Sequence, residues 1–299
     1  MRIGAIEAGG TKFVCGVGNE HGQIEDRISF PTEHPETTLA KVIDYFRDKD
    51  VEALGIGSFG PIDLQPDSPT YGYITTTPKP GWENCNVVGT LKHEFPVPFG
   101  WDTDVNAAAL GEVTWGAAQG LDNCVYYTIG TGVGVGLVAG GKRVHGLLHP
   151  EGGHIRTRRH PDDHFAGLCP YHGDCLEGMA AGPAIEARWQ IPGSELPADH
   201  PAWEIESFYI AESITTAILL HSPQKIILGG GVMQQDHLFP MIREQVVRNL
   251  NGYVNVAPIT QHIDQYIVQP GLSQHAGLCG ALALGLEALQ HAAQASHVS

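Results

Sequence analysis

One pattern occurs twice in this chain and limits what it can fold into. IGAIEAGGTKFVCGVG (3–18) reads as strand, glycine turn, strand, and VYYTIGTGVGVGLVAGG (125–141) repeats that order. Two halves built on one plan follow, each opening with a β-hairpin whose turn is made of glycine. HGQIEDRISF supplies a third strand to the first half, and TTLAKVIDYFRD has helical spacing through Leu39, Val42, Ile43 and Phe46. ALGIGSFGP (53–61) and VPFGWD are strands. TDVNAAALGEVTWGAA (103–118) is an alanine-rich helix that Thr103 or Asp104 can start. In the second half, helices are expected at 177–189, 203–221 and 236–250, with strands at KIILGGGV (225–232) and QYIVQP and a closing helix from Gly277. Strands and helices alternate, so the class is α/β. EGGHIRTRRHPDDHFAGLCPYHGDC has neither period and reads as a loop-built insertion.

Composition narrows the function. A chain of 299 residues with 42% hydrophobic and 17% charged residues can bury a real core as one large or two ordinary domains. A formal net charge of −16 disfavours non-specific binding to nucleic acid or anionic membranes. MRIGAIEAGGTK has no secretory pattern, and no apolar run reaches membrane-spanning length. A cytoplasmic location is therefore expected. Persistent disulfides are rare there, so a close cysteine–histidine cluster points first to a metal.

Three glycine clusters close apolar strands: GGTK (9–12), GTGVG (130–134) and GGG (229–231). Glycine lets the backbone approach a ligand and turn its N–H groups onto phosphate oxygens. The P-loop pattern GxxxxGK[ST] is absent. Gly130-Thr131-Gly132-Val133-Gly134 lacks the third glycine of a dinucleotide fingerprint and leads into a strand, so neither a P-loop enzyme nor a Rossmann dehydrogenase fits.

EAGGTK, TDVNAAALGE, IGTGVGVG, HPEGGH and the later cysteine cluster, in that order across nearly the whole chain, resemble the ROK sugar kinases, and within them the bacterial fructokinase branch. The resemblance implies two ribonuclease-H-like domains of the hexokinase/actin superfamily around a central cleft. It divides the chain into an N-terminal α/β domain (1–118), completed by the C-terminal helix 277–299, and a larger domain (119–276) with a zinc-binding loop at 149–178. The implied activity is ATP-dependent phosphorylation of a hexose, foremost fructose to fructose 6-phosphate, by a homodimer. A glucose or mannose kinase, a non-catalytic sugar sensor and a zinc hydrolase are the alternatives. Some relatives are repressors with an N-terminal DNA-binding domain, which is not expected where the first glycine motif begins within ten residues.

Phosphoryl transfer needs a base beside the attacking hydroxyl, a metal on the phosphates and donors that absorb charge. Asp104, between VPFGWD and the alanine-rich helix, is the base by its place in TDVNAAALGE; its bland reading is a helix cap. Asp102 is the competing carboxylate and shapes the strand end. By resemblance, Glu151, His154 and Glu177 contact sugar hydroxyls, with Gly60, Pro61, Thr103 and Asn106 bordering the site. TPKPGW (77–82) resembles a loop near the sugar. Thr103 stands where glucose-selective relatives carry asparagine, which weakens a glucose assignment. ATP phosphates are assigned to Gly9, Gly10, Thr11 and Lys12 and to Gly130, Thr131 and Gly132. Ala180, Gly182, Gly229, Gly230 and Gly231 flank the nucleoside. Magnesium, held mainly by phosphates and water, is expected to meet Glu7, Asp104 or both; the family's usual residue at Glu7 is aspartate.

Cys169, His172 and Cys175 in CPYHGDC provide three zinc ligands within one short loop. The resemblance draws the fourth, His154, from HPEGGH, with His172 standing where the family has cysteine. Four protein ligands leave no open position, so the expected zinc is structural and fixes the loop carrying Glu151, His154 and Glu177. HPDDH (160–164) is expected to be a solvated turn. Cys15, Cys85, Cys124 and Cys279 are expected in the core.

Overall fold

The computed structural model describes residues 1–298; Ser299, the last residue of the expected closing helix, lies outside them. In chain order the elements are β1 (Ile3–Ala8), β2 (Lys12–Gly18), β3 (Ile24–Pro31), α1 (Pro35–Phe46), β4 (Ala53–Ser58), β5 (Tyr73–Ile74), β6 (Cys85–Asn86), α2 (Val87–Glu94), β7 (Phe99–Thr103) and α3 (Asp104–Trp115). Then come β8 (Cys124–Ile129), β9 (Val133–Ala139), β10 (Lys142–Arg143), α4 (Leu176–Ala180), α5 (Gly182–Trp189), α6 (Ala202–His221), β11 (Lys225–Gly229), α7 (Leu238–Leu250), α8 (Ala257–Thr260), α9 (Ile263–Tyr266), β12 (Ile267–Val268) and α10 (Ala276–Val298).

Two compact units divide the chain. The first takes residues 1–120, 143–150 and 274 onward; the second takes 121–142 and 151–273. Residues 143–150 thus group with the first unit rather than with the segments on either side of them. Among the described residues, each unit carries a five-stranded sheet of matching plan, β3-β2-β1-β4-β7 in one and β10-β9-β8-β11-β12 in the other. In both, an antiparallel hairpin pairs through its first strand with a parallel strand that follows a crossover. The twice-occurring hairpin is the cause of this likeness.

In the first unit β1 is apolar except for Glu7 because both its faces are covered. Ile3 and Ala5 point to a core shared with Leu278, Ala281 and Leu282 of α10. Ile6 and Ala8 point the other way, to Phe13, Phe46, Leu54 and Trp82. Glycines let α10 lie on backbone: a Cβ at Gly55 would sit 1.8 Å from the Ala281 carbonyl oxygen, and one at Gly280 would sit 1.9 Å from that of Ala107. The alanines of α3 serve the same close approach, and Val105 through Glu112 are all buried. Gly280→Ala is therefore expected to force two helices apart at a cost of about 1–3 kcal/mol, the usual range for overpacking. Urea unfolding checks it; an unchanged midpoint would contradict this account of the packing.

The structure departs from the expected elements in two informative places. The helix expected over 177–189 breaks at Ala181, which is extended. Pro183 has no N–H to continue the ladder, and the Gly182 N–H donates instead to the Gly130 carbonyl at 2.7 Å. QYIVQP yields only the short strand β12, with Tyr266 taken into the helical turn α9. Among the described residues, no helix is long and apolar enough to cross a membrane.

Candidate active site

The register of the first sheet lines up the carboxyl ends of three parallel strands: Ala8 pairs with Ser58, and Ser58 with Thr103. The turn Gly9–Lys12, the loop containing Gly60 and Pro61, and Asp104 consequently share one sheet edge, where ligands of α/β folds bind. Thr32, buried beside the turn, braces it: its hydroxyl donates to the Gly9 carbonyl at 2.6 Å and its N–H to that of Thr11 at 2.9 Å. Thr11 and Lys12 are exposed.

Asp104 is not the cap of α3. Thr103 is the cap, its hydroxyl accepting the Asn106 N–H at 3.1 Å, while Asp104 is the first helical residue and takes the Val105 N–H at 2.9 Å. The helix start therefore does not rely on the Asp104 carboxylate for capping. Asp102, fully buried, holds this corner. Its Oδ1 accepts from the Thr103 N–H (2.8 Å) and the Asn106 amide (3.0 Å), and its Oδ2 meets Arg143 Nε (2.6 Å) and His145 Nε2 (2.8 Å). Arg143 also grips Glu287 of α10 at 2.7 Å. Burial works against the Asp102 charge, but the His145 hydrogen bond and the Arg143 charge hold its carboxyl below the usual range.

Sequence reasoning missed this strap of residues 143–150, whose only signal was the histidine of HPEGGH. His149 is buried, and its Nε2 accepts the Ile62 N–H at 3.1 Å. It also packs under Gly60, where a Cβ would lie 3.4 Å from its ring. Burial keeps its basicity below that of free histidine. Glu7, at the same sheet edge as the first turn, lies against Gly277, where a Cβ would come within 2.6 Å of the carboxylate. Burial raises its pKa and the Lys12 charge partly opposes this.

The second unit repeats the sheet-edge arrangement. Thr128 pairs with Gly229, so the turn Gly130–Gly132 and the segment Gly230–Gly231 emerge side by side; a Cβ at Gly130 would lie 3.4 Å from the Gly231 nitrogen. Gly182, at the break between α4 and α5, bonds to Gly130, so three of the segments assigned to the nucleotide meet here. Glu177 reaches the same turn, its Oε2 accepting the Val133 N–H at 3.1 Å. The Glu151 carboxyl, on a residue that still reaches solvent, is pushed up to about 7, first by the protein atoms that desolvate it and then by the Glu177 charge.

His154, Cys169, His172 and Cys175 come together with their donor atoms all within 4.8 Å of one another. The His154 Nδ1 lies 3.5 Å from Cys175 Sγ and 3.8 Å from Cys169 Sγ, and His172 Nδ1 lies 3.6 Å from Cys169 Sγ. Zinc bonds of about 2.0–2.3 Å at tetrahedral angles require nitrogen–sulfur edges of roughly 3.6 Å, so these three distances are those of a zinc site. Glycines bring the loop to this point: a Cβ at Gly153 would lie 1.8 Å from the Val133 carbonyl oxygen, and one at Gly178 would lie 2.0 Å from that of Gly173.

HPDDH is a turn with Pro161, Asp162 and His164 exposed, but Asp163 departs from the solvated reading. Asp163 is buried and accepts from Tyr209 Oη (2.8 Å) and the Phe165 N–H (3.0 Å), and it pairs with Arg188 at 3.2 Å. Arg188 in turn donates to the Met179 carbonyl of α4 at 2.9 Å. The acid is buried because a cation and a phenol from other helices are there to meet it. Of the cysteines expected in the core, Cys15, Cys124 and Cys279 are buried and Cys85 is only partly so.

Comparison with known families matches residues 3–288 to the ROK family. The chain belongs to the ROK family. This ROK chain is 51% identical over 292 residues to a fructokinase of Pediococcus pentosaceus, spanning 98% of this chain and 100% of that one. It is 47% identical to a fructokinase of Lactococcus lactis, covering 91% and 92%. Among solved structures, a ROK hexokinase from Thermus thermophilus superposes with a TM-score of 0.77 at 25% identity, covering 97% of this chain and 100% of that one. The two-domain hexokinase/actin architecture is thereby that of this ROK protein too.

Proposed function

We propose that this ROK protein is a fructokinase that transfers the γ-phosphoryl group of ATP to the 6-hydroxyl of fructose. The near-full-length matches to fructokinases carry the reading. The placement of the side chains supports it. Asp104 stands at a strand end with its helix capped by another residue, so its carboxylate serves as the base that takes the proton from the 6-hydroxyl. The hydroxyl oxygen attacks the γ-phosphorus, and the bond to ADP breaks. By the family resemblance, Thr103, Asn106, Gly60 and Pro61 border the hexose, Glu151 and Glu177 accept hydrogens from its hydroxyls, and the His154 Nε2–H donates to a hydroxyl oxygen. A carboxylate suits that task because each of its oxygens accepts hydroxyl hydrogens.

The glycine turns Gly9–Lys12 and Gly130–Gly132 supply N–H donors to the phosphates, with Ala180, Gly182 and Gly229–Gly231 beside the nucleoside. Magnesium arrives with ATP and neutralises phosphate charge; Glu7, a single partly buried carboxylate, fits an ion that keeps most of its waters. His154, Cys169, His172 and Cys175 would hold a structural zinc, leaving His154 Nε2 for the sugar. All four positions are protein ligands, which disfavours a zinc hydrolase. A cytoplasmic homodimer completes the reading by family resemblance.

An ATP-coupled assay over fructose, glucose and mannose tests the assignment. Fructose is expected to give the highest kcat/KM, and a clear preference for glucose or mannose, or no ATP-dependent phosphorylation, would overturn it. Chelating the zinc is expected to raise the fructose KM by about tenfold or more and the ATP KM by less, because the loop carries hexose ligands directly and Asp163 still anchors its middle. Equal fructose KM with and without bound zinc would contradict that role.

A further inference from the structure

We infer that Glu177 couples the two substrates: it ties the hexose-binding loop to the phosphate-binding turn, so that fructose and nucleotide strengthen each other's binding through one carboxylate. This rests on the reading of Glu177 as a hexose ligand. Its Oε2 is engaged by the Val133 N–H, the amide that follows Gly130–Gly132 and opens β9. The contact with the turn is close, since a Cβ at Gly132 would lie 2.7 Å from the same oxygen. A main-chain bond from Gly182 to Gly130 ties down the other end of the turn. The segment 176–182 thus holds the turn at both ends, once by backbone and once by a side chain that also serves the sugar.

A carboxylate has acceptor capacity on both oxygens, so with Oε2 on the turn, Oε1 takes a sugar hydroxyl. When phosphate oxygens order the turn's amides, the Val133 N–H is fixed and with it the Glu177 carboxylate. When fructose fixes the carboxylate, the turn is ordered in return. Linkage makes the effect equal in both directions. The glycine at 132 has a role beyond its own conformation: it is the gap into which the Glu177 oxygen fits.

Gly132→Ala tests this directly. Its methyl group meets the far end of a flexible side chain, so Glu177 is displaced at little cost to folding. Fructose is titrated calorimetrically into the full-length protein, without nucleotide and then with a non-hydrolysable ATP analogue and magnesium. In the wild type the analogue is expected to tighten fructose binding at least about fivefold, the lower end of typical coupling. In Gly132→Ala the nucleotide-free affinity is expected to fall by a similar factor and the coupling to shrink towards onefold. Glu177→Gln, titrated in parallel, is expected to weaken nucleotide-free fructose binding through the lost hydroxyl contact.

Wild-type fructose affinity or wild-type coupling in Gly132→Ala overturns the proposal, as does an uncoupled wild type. If Glu177→Gln alone is weakened, the hexose role of Glu177 stands and only the coupling falls. If neither variant is weakened, both fall, and a weakened Gly132→Ala beside an unaffected Glu177→Gln assigns the effect elsewhere and also overturns the coupling. Should Gly132→Ala be too unstable to titrate, Glu177→Asp, one methylene shorter, replaces it, and wild-type coupling in that variant is the overturning result.

Discussion

Asp104→Asn is expected to lower kcat by about 10²–10⁴-fold, the range that a positioned general base contributes. Asparagine keeps the shape and can still accept the Val105 N–H through its carbonyl oxygen, but it cannot take up the hydroxyl proton. Thr103, not Asp104, caps α3, so the helix start survives the change. Fructose binding is expected to remain within about threefold of wild type, because truncating a base removes an interaction made in the transition state. Steady-state kinetics paired with calorimetric titration separates the two quantities. A variant that turns over within a few-fold of wild type would remove Asp104 from the chemistry.

The second large effect is on stability. Asp102→Asn removes a buried charge but leaves Arg143 paired with Glu287, so the expected cost is about 1–3 kcal/mol, short of the range for a buried pair broken outright. The loss is expected to be acid-sensitive. The folded-state pKa of Asp102 is held below its ordinary value of 3.8, so its contribution is present above that pH and disappears as pH falls through the lowered value. Wild type and variant are therefore expected to converge in acid. Chemical unfolding at pH 7 and near pH 3 checks this, and a variant as stable as wild type at pH 7 would refute the role given to the strap. Because Asp102 also holds the Thr103 N–H and Asn106, its loss is expected to reduce kcat as well, by loosening the corner from which Asp104 projects.

Much of the site was legible because its signals are local. The hairpin turns are written in adjacent glycines, and the start of α3 in Thr103 followed by a run of alanines. Three of the four residues in the His/Cys cluster lie within seven positions. The fourth and the proposed hexose residues came from resemblance, which transferred positions but not their surroundings. Asp163 of HPDDH shows how a local signal misleads: it looks solvated like its exposed neighbour Asp162 until Arg188 and Tyr209 arrive from α5 and α6. The helix over 177–189 misled for the same reason, since Gly182 spends its N–H on Gly130 rather than on the turn before it.

Sequence alone determined the α/β class, the paired hairpins and the Cys169–His172–Cys175 cluster, since each depends on residues close together in the chain and on backbone preferences they carry themselves. Tertiary structure alone decided which groups meet at the sites. Arg143 reaches Asp102 across 41 positions and Glu287 across 144, and Glu177 reaches Val133 across 44. Such pairs have no periodicity to announce them. A buried charge or a shared carboxylate acquires its partner only when the sheets and helices are packed, and the free energy of that partnership belongs to the packing, not to either residue.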